Sequence, residues 1–430
     1  MSNTSVTRRD FMKSSSIVAG AGLTFPHILP ASAKGANDRV TLASIGVGGK
    51  GQHGMGIFHK FDDVEFVAVC DVYQPNMEAA RNITEGRAEM IKDFRDVLAR
   101  EDIDAVHIST PDHWHAEIMI QACAAGKDVY VEKPVSLTIG EGRRMVEAAK
   151  KHNRVVQCGT QQRSGTHFQK AVEIVASGGI GEVTMTKTWI LENESPNGIG
   201  NPPNQDPPAD LDWEMWQGPS PRHEYNPNRF RQFRWFWDYS GGKVTDWGVH
   251  LMDIVQWAMG MDAPLNVCAT GGKYSLKDNR ETPDTVHVTW EYPGFLATFT
   301  NRVYNAHPED GDGYGIQFHG TEGTLYVNRG GWTLTPETGP DNKPRIPAQS
   351  SGGSEQNGPH ERQFIDCVKS REKPISDIET THRSTSACLM ANIALKTGQR
   401  LEWDPVHEKF TNSDEANELL DYEYSKPWGV

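Results

Sequence analysis

Short apolar runs alternate with longer segments of helical periodicity over the first 160 residues of the chain. Runs rich in Val, Ile and Ala that turn residues bound are typical of strands buried on both faces. The pattern predicts strands at Arg39–Ile45, Val64–Cys70, Ala105–Ser109, Asp128–Val131 and Val155–Gly159. It predicts helices near Gly54–Lys60, Ala116–Ala125 and Ile139–His152. Strands that alternate with helices in this way predict a parallel, doubly wound sheet.

Strand-like runs dominate the chain after residue 160. They predict strands at Glu182–Trp189, Leu265–Ala269, Asp284–Tyr292, Ala297–Arg302, Tyr314–His319 and Thr324–Asn328. Helical periodicity predicts one helix from Asp246 to about Met259, ended by Gly260, and a long one near Thr380–Leu395. The alternation is compatible with an antiparallel sheet that has one covered face. The predicted fold class is α/β, with a parallel-sheet domain followed by an α+β domain on a largely antiparallel open sheet.

A chain of 430 residues is too long for one ordinary core, so we expect two domains. We place them at residues 38–159 and 160–404, followed by a tail at 405–430 that clamps the body or a neighbouring subunit. The Pro-rich stretch Asn193–Asn228 is typical of a functional segment or a subunit-contact arm. Another irregular stretch, Gly339–Pro359, is predicted to be a flexible surface loop.

The first 33 residues have the pattern of an export signal. A twin-arginine motif, Thr7–Lys13, precedes the apolar run Ile17–Phe25, and Ala31–Ala33 offers a cleavage site. The apolar run is too short for a stable membrane span, which needs about 20 residues. The signal predicts a periplasmic protein exported folded, with no membrane insertion after cleavage. A folded export route suits a cofactor that is bound tightly and carried out with the protein.

Composition excludes some partners and leaves others open. The net charge of −14 argues against nucleic acid and against an anionic membrane surface. The six cysteines all fall in apolar runs without a Cys-x-x-Cys pair, so we interpret them as buried thiols and not as disulfides. The twelve tryptophans hint at a sugar substrate, although core packing accounts for many of them.

Glycines stand at fixed spacing directly after the first predicted strand, at Gly46, Gly48 and Gly51. A strand, a glycine turn, a helix and a second strand ending in an acid form a dinucleotide-binding fingerprint. Gly46 permits the tight turn, Gly48 lets the backbone approach a pyrophosphate, and Gly51 lets the helix pack close to the strand. Asp71 is the acid, placed to accept hydrogen bonds from the ribose hydroxyls and to repel a 2′-phosphate. The motif therefore predicts NAD and disfavours NADP; the alternative is a purely structural glycine turn.

A set of motifs farther along the chain resembles the Gfo/Idh/MocA family, which includes glucose–fructose oxidoreductase and inositol dehydrogenase. The motifs are the Gly46 turn, Thr110-Pro111 with His115, Glu132-Lys133-Pro134, and Asp246-Trp247-Gly248-Val249-His250. The resemblance covers nearly all of residues 38 to 404. It implies an N-terminal Rossmann domain and a C-terminal α/β domain on a largely antiparallel sheet. Asp112 departs from the family, because many members have Asn there, and this bears on the loop's contacts to the nicotinamide half.

The resemblance and the strand ends together assign the site residues. In the family, Lys133, Asp246 and His250 correspond to the catalytic set. The residues expected to hold the cofactor are Gly46, Gly48, Gly49, Gly51, Asp71, Thr110, Pro111, His113, His115, Glu132, Lys133 and Gln161. The residues expected to contact substrate are Lys133, Arg163, Arg234, Trp235, Trp237, Asp246 and His250.

The residue types agree with those roles. Lys133 follows a strand at the floor of the cleft, where its ammonium can stabilise a developing alkoxide; a surface lysine is the alternative. Asp246 and His250 are four residues apart on a predicted helix face that Asp253 shares, so a carboxylate could orient the imidazole and raise its basicity. The alternative is a helix-capping acid beside an ordinary histidine. Arg234 belongs to a cluster rich in arginine and aromatic residues. Such a cluster suits a pocket for a polyol or glycosyl group; the alternative is that it anchors a loop by packing.

Other histidines carry weaker signals. His113 and His115 form a His-x-His pair, but no third ligand lies at suitable spacing, so we predict no metal. His167, His360 and His382 are either substrate contacts or surface histidines.

The sequence supports several functions. The favoured hypothesis is a periplasmic, NAD-dependent oxidoreductase that acts on a ring hydroxyl of a small carbohydrate, with C3 as the expected position. One alternative is an NAD-dependent glycosidase that oxidises a ring carbon transiently, eliminates the aglycone and re-reduces the product. Another is a non-catalytic sugar-binding protein on the same scaffold. The resemblance also implies a homo-oligomer, a dimer or a tetramer.

Overall fold

The computed structural model describes residues 39–429. The predicted twin-arginine signal at residues 1–33 lies outside the described residues. Across residues 39–429, no helix has both the length and the apolar character needed to cross a bilayer.

Six parallel strands form the first sheet, in the spatial order β3-β2-β1-β4-β5-β6. They are β1 Val40–Ile45, β2 Val64–Cys70, β3 Glu89–Ile91, β4 Ala105–Ile108, β5 Asp128–Val131 and β6 Val156–Cys158. Every residue of β4, β5 and β6 is buried, which explains why these strands are continuous apolar runs. The strand order reverses between β1 and β4, and such a switch point leaves a crevice at the carboxyl ends of the strands. The prediction of a parallel, doubly wound sheet is confirmed.

Five helices connect these strands. They are α1 Gly49–Phe58, α2 Gln74–Ile83, α3 Phe94–Leu98, α4 His115–Ala124 and α5 Ile139–Lys151. The prediction for α1 is wrong at its start, because the helix begins inside the glycine turn and not near Gly54. Its four glycines lower helix propensity and hide the start in the sequence. Packing requires one of them, since a Cβ at Gly54 would lie 2.8 Å from the ring of His107.

Ten strands form the second sheet, in the order β14-β13-β12-β11-β7-β10-β9-β8-β15-β16. They are β7 Val183–Leu191, β8 Asn266–Gly272, β9 Thr285–Tyr292, β10 Phe295–Arg302, β11 Tyr314–Gly320, β12 Gly323–Asn328, β13 Gly331–Pro336, β14 Gln349–Gly352, β15 Leu401–Asp404 and β16 Lys409–Phe410. All pairs are antiparallel except β7 with β10. The predicted loop Gly339–Pro359 is therefore wrong in part, because it contains β14. The four residues of β14 are all exposed, so no hydrophobic alternation marked the strand.

Helices cover one face of this sheet and fill the connections. They are α6 Thr166–Ala176, α7 Trp213–Gln217, α8 Pro227–Arg231, α9 Gly242–Asp246, α10 Gly248–Met259, α11 Asn357–Ser370, α12 Ile378–Thr397 and α13 Asp414–Glu418. Side chains of α6, α10 and α12 share one core with the inward residues of the sheet. Trp290 of β9 is fully buried there and donates a hydrogen bond to the carbonyl of Ala387 in α12, at 2.9 Å.

Helix α11 packs on the first sheet, although the sequence assigned it to the second domain. Phe364, Ile365 and Cys367 belong to the hydrophobic cluster that also contains Val40 and Phe58. Gln157 of β6 donates to the carbonyl of His360, at 2.8 Å. The core of the first sheet is thus completed by residues from late in the chain.

The segment after residue 418 crosses back over the first sheet's helices. Trp428 packs edge-on against Trp114 with ring centroids 4.8 Å apart, and Gly429 donates its backbone N–H to Glu117 at 3.2 Å. Tyr424 donates to Glu141 at 2.7 Å. The tail therefore contacts the body of its own chain.

The cysteines are all free, and five of them are buried. Cys268 is the exception to the sequence prediction, because it is exposed on β8.

Candidate active site

A cleft of about 780 Å³ lies at the carboxyl edge of the first sheet. The residues after β1, β2, β4 and β5 line one side of it, as predicted from the strand ends. The other side comes from the Asn193–Asn228 stretch and the residues after it, with Asp246 at one end. The residues from this second side are Met215, Trp216, Phe230, Arg231, Phe233 and Arg234. Of these, sequence reasoning assigned only Arg234 to the site.

The glycine turn has the geometry that its sequence predicts. Gly46 has φ +79°, and a Cβ there would lie 2.5 Å from the backbone nitrogen of Thr110. A Cβ at Gly51 would lie 2.2 Å from the carbonyl oxygen of Gly46. By contrast, a Cβ at Gly48 would meet only a side-chain atom at 3.7 Å, and Gly49 has nothing within 4 Å. Gly46 and Gly51 are therefore required by the close packing of the turn itself. At Gly48 and Gly49 the missing side chain leaves open space at the floor of the cleft.

Asp71 lies at the end of β2 on the cleft wall. Its carboxylate accepts hydrogen bonds from the backbone N–H groups of Val47 and Tyr73, both at 2.9 Å, and from Asn76 at 3.2 Å. Burial raises the pKa of Asp71, although these hydrogen bonds oppose the change. Asp71 thus links the glycine turn to the start of α2. Sequence reasoning missed Asn76, which no motif marks.

Lys50 and Glu132 form an ion pair across the cleft floor, with 3.1 Å between Nζ and Oε1. Gln161 donates to the same Glu132 oxygen at 3.4 Å, which is how this predicted cofactor residue reaches the site. The other Glu132 oxygen is buried without a hydrogen-bond partner within the described chain. Lys50 lies within the glycine motif, but sequence reasoning gave it no role.

The residues present fit a dinucleotide. Among residues 39–429 no side chain caps the first turn of α1, so its backbone N–H groups are available to an anion beside the open space at Gly48 and Gly49. Lys50 adds a positive charge at the same place, and Asp71 stands at the end of the neighbouring strand. A pyrophosphate and a ribose require this set of donors and acceptors.

Lys133 and Asp246 form a half-buried ion pair in the wall of the cleft. The Lys133 ammonium donates to Oδ1 and to the backbone carbonyl of Asp246, both at 2.7 Å. Arg234 donates to the same Oδ1 at 3.1 Å, and Lys243 lies 3.5 Å from the other oxygen. Burial alone would raise the pKa of Asp246, but the charges of these cations hold it well below the usual range. Lys243, three residues before Asp246, is a second basic residue that sequence reasoning missed.

The predicted helix from Asp246 to Met259 is wrong in its first turn. Helix α9 ends at Asp246 and α10 begins at Gly248, with Trp247 between them at φ −107° and ψ −36°. Within the described chain, the Asp246 carboxylate has no hydrogen bond to His250 and is instead held by Lys133. Asp253 also has another partner, because it pairs with Arg163 at 2.7 Å.

His250 is buried next to this ion pair, and its Nδ1 has no hydrogen-bond partner within the described residues. Burial, assisted by the charges of Lys133 and Arg329, holds the pKa of His250 well below its usual range. This lowering favours the neutral imidazole, but it also makes His250 a weaker base than an ordinary histidine, contrary to the rise in basicity that the spacing with Asp246 predicts.

Some residues of the loop after β4 line the cleft, and others hold the loop in place. Thr110, Pro111 and Asp112 line the cleft. His113 faces away, with Nε2 3.0 Å from the carbonyl of Trp216. His115 lies below the loop with its ring nitrogens 2.8 and 3.0 Å from the carbonyls of Pro134 and Thr110. Both histidines hold the loop and do not line the cleft.

Asp112 is the position where the sequence departs from the resembling family. It is buried and accepts a hydrogen bond from Ser240 at 2.5 Å. Burial raises the pKa of Asp112, which favours its neutral form, the form closest to the Asn of other members.

Several residues predicted to contact substrate do not line the cleft. Arg163 is buried in its ion pair with Asp253 and has its guanidinium 4.9 Å from the ring of Trp257. Trp235 is buried under Arg280, with 4.5 Å between guanidinium and ring. Trp237 instead packs against Lys396. Both tryptophans therefore anchor their loop by packing, which was the alternative to a sugar pocket. Aromatic residues in a sequence do not by themselves distinguish a packed core from a binding pocket.

The remaining histidines are neither surface residues nor cleft residues. His167, His360 and His382 are all buried, with partners in Ser354, Ser164 and Glu408 respectively. Within residues 39–429, no group of three or more His, Cys, Asp or Glu could hold a metal ion.

Two family models match most of the chain. The model for an oxidoreductase family with an NAD-binding Rossmann fold matches residues 40–160. The model for the C-terminal alpha/beta domain of the oxidoreductase family matches residues 167–292 and 340–430.

Curated relatives match over shorter stretches. A glycosyl hydrolase family 109 protein of Shewanella baltica is 30% identical over 154 residues, which is 34% of each chain. The inositol 2-dehydrogenase of Salmonella typhimurium is 32% identical over 123 residues, which is 28% of this chain and 37% of that one. The chain spans about a third of the length of such relatives.

Solved structures share the fold over most of the chain. The WlbA dehydrogenase from Bordetella pertussis, solved in complex with NADH and UDP-GlcNAcA, superposes with a TM-score of 0.65 at 18% identity. The match covers 85% of this chain and 99% of that one. At this identity the likeness shows the fold alone.

Proposed function

The chain belongs to the Gfo/Idh/MocA family of NAD-binding oxidoreductases, and from this premise we propose that it oxidises a ring hydroxyl of a sugar or glycoside. The observation that carries the proposal is the half-buried pair of Lys133 and Asp246, with 2.7 Å between Nζ and Oδ1, in the wall of the dinucleotide cleft. An ammonium fixed in this way is positioned to bind an oxygen that becomes negative during reaction. The carbon we propose is C3.

The chain's own residues divide the chemistry between them. The chemistry that NAD supplies when bound is hydride uptake from the substrate carbon. Lys133, held in place by Asp246, donates a hydrogen bond to the substrate oxygen and stabilises its developing charge. His250 is neutral and takes the hydroxyl proton, so that one hydride and one proton leave the alcohol. The glycine turn and Lys50 hold the phosphates, and Asp71 holds the ribose.

The proposal includes the setting of the enzyme. The twin-arginine pattern supports a periplasmic protein exported in folded form with its cofactor bound tightly. NAD is proposed ahead of NADP because Asp71 would repel a 2′-phosphate. The proposed assembly is a homo-oligomer, and the proposed partner is a small carbohydrate.

The experiment starts with protein purified without added cofactor. Acid release followed by mass spectrometry measures the NAD content, and absorbance at 340 nm follows oxidation of a panel of sugars and methyl glycosides. Lys133→Met should lower kcat at least 100-fold when the rate is expressed per bound NAD, because the lysine acts on the substrate oxygen in addition to any contact with the cofactor. Lys60→Met, which changes an exposed lysine, is the matched control. Full activity in Lys133→Met would refute the assignment.

A second function is favoured by the family 109 match. Such an enzyme would cleave a glycoside with no net change in its bound NAD. Incubation with p-nitrophenyl glycosides and no added NAD separates the two functions. Release of nitrophenol over many turnovers supports the glycosidase, whereas a ketone and stoichiometric NADH support the dehydrogenase. A protein that binds sugars but does neither would be the non-catalytic alternative.

A further inference from the structure

One guanidinium near the proposed catalytic residues forms no ion pair within the described residues. Arg329 lies in the turn between β12 and β13, with its Cζ 4.8 Å from the ring centroid of Trp247. Its Nε is buried and has no hydrogen-bond partner, and no carboxylate lies within 4.0 Å of its side chain, in the part of the chain that the structure describes. Burial lowers the pKa of Arg329, and the more distant charges of Tyr314 and Asp246 oppose this change only in part.

The turn that carries Arg329 is fixed on both sides. The carbonyl of Asn328 lies 3.0 Å from Nε2 of the buried His167, and Gly353 donates its backbone N–H to Gly330 at 2.7 Å. The Trp247 ring that Arg329 covers also packs against His250, at 6.1 Å between centroids. The guanidinium is therefore held beside the proposed base and not at a free loop tip.

The charges around the proposed base are unbalanced. Lys133, Arg234 and Lys243 surround Asp246, and Lys243 also pairs with Glu192 at 2.9 Å. With Arg329 this makes four cations against the carboxylates of Asp246 and Glu192. Asp112 and Glu132 are also within electrostatic reach of Arg234. Burial raises the pKa of Asp112, however, and Glu132 is paired with Lys50. The whole chain has a net charge of −14, so this local excess of positive charge differs in sign from the chain as a whole.

The cofactor does not account for this excess. The anion-binding elements of the cleft, Gly48, Gly49 and Lys50, are at the first turn of α1, where Lys50 has its own carboxylate partner. Arg329 does not line that cleft and instead lies on the side of Trp247 and His250. Arg329 is half-buried, and its guanidinium has no carboxylate partner within the described residues, so a ligand that supplies a negative charge would stabilise it.

We propose that the substrate is a sugar that carries an anionic group, a carboxylate or a phosphate, and that Arg329 binds this group. A guanidinium presents donors in a planar fork that matches either anion. The anion would lie near Trp247, whose ring packs against His250. This inference rests on the proposed function and narrows its substrate class.

Binding tests the inference independently of turnover. Calorimetry with NAD-loaded protein would compare hexuronates, aldonates and hexose 6-phosphates with their neutral parent sugars. We expect one anionic class to bind at least tenfold more tightly than its neutral parent, and the class that does so identifies the anion as carboxylate or phosphate. Arg329→Met should weaken that binding by roughly 10- to 100-fold, the range for a hydrogen-bonded charge. Arg329→Lys should retain part of it.

The control is Arg345→Met, which removes an exposed arginine of the same half of the chain and should leave binding unchanged. Equal binding of anionic and neutral sugars, or unchanged binding in Arg329→Met, would overturn the inference even if neutral sugars are oxidised. Conversely, Arg329-dependent binding of an acidic sugar without any oxidation or cleavage would support the inference and refute the proposed function.

Discussion

Glu361 offers a sharp test of the electrostatics beneath the cofactor turn. It belongs to α11, its side chain has no exposed surface, and neither carboxyl oxygen has a hydrogen-bond partner within the described chain. Burial raises the pKa of Glu361 to about 8, against a usual 4.5, even though Lys50 opposes the change. We predict that Glu361 is protonated in the folded protein at pH 7.

The consequence for stability follows from the direction of that change. The folded state holds the proton of Glu361 more tightly than the unfolded state does. The contribution of this carboxyl to the free energy of unfolding is therefore full below about pH 4.5 and is lost as the pH rises through about 8. Within that window each pH unit removes at most about 1.4 kcal/mol from the free energy of unfolding. Between pH 5 and 7 the loss from this one group is at most roughly 3 kcal/mol.

Glu361→Gln keeps the shape of the neutral carboxyl and cannot titrate. Urea unfolding followed by tryptophan fluorescence at pH 5, 6 and 7 should show the wild type losing stability relative to Glu361→Gln as the pH rises. All other titrating groups cancel in this difference. The exposed Glu372→Gln serves as the control and should track the wild type. Parallel pH profiles for the wild type and Glu361→Gln would mean that the carboxyl is ionised when folded, and the reasoning would be refuted.

Two further substitutions test the turn and the tail. Gly51→Ala should abolish NAD binding, because its Cβ would lie 2.2 Å from the Gly46 carbonyl. The measurement is the NAD content of the purified protein. The control is Gly56→Ala in the same helix, whose Cβ meets nothing within 4 Å and which should bind NAD normally. Normal NAD content in Gly51→Ala would contradict the proposed turn geometry. Trp428→Ala should lower the free energy of unfolding by about 1–2 kcal/mol through lost ring packing on Trp114, measured by urea titration. Unchanged stability would show that the tail does not hold the body.

Five of the six strands of the first sheet could be predicted from sequence because they are largely buried and bounded by turns, whereas the short, exposed edge strand β3 was missed. The same reasoning failed where exposure or glycine hides the pattern. Helix α1 is rich in glycine, and the exposed strand β14 has no apolar side chain. Local propensity carries little information at such positions, since close packing and edge pairing decide the structure there.

The candidate site could likewise be predicted from the sequence only in part. Lys133 and Asp246 could be placed by motif, but their mutual ion pair joins residues 113 apart in sequence, and only the fold brings them together. The spacing of Asp246 and His250 predicted a helical pair that the break at Trp247 prevents. Arg329 lies in a turn without any motif, so its role depends on what the folded chain leaves unpaired.

The position of α11 has a consequence for the order in which the protein can form. Phe364 and its neighbours close the core around β1 and α1, so the strands synthesised first lack part of their hydrophobic cluster until residue 367 has left the ribosome. An early-synthesised segment of the first domain would retain an incomplete core, and its glycine turn would rest on a helix with one side uncovered. Nucleotide capture would thus follow completion of nearly the entire polypeptide, and cofactor occupancy would report that the late segments have docked.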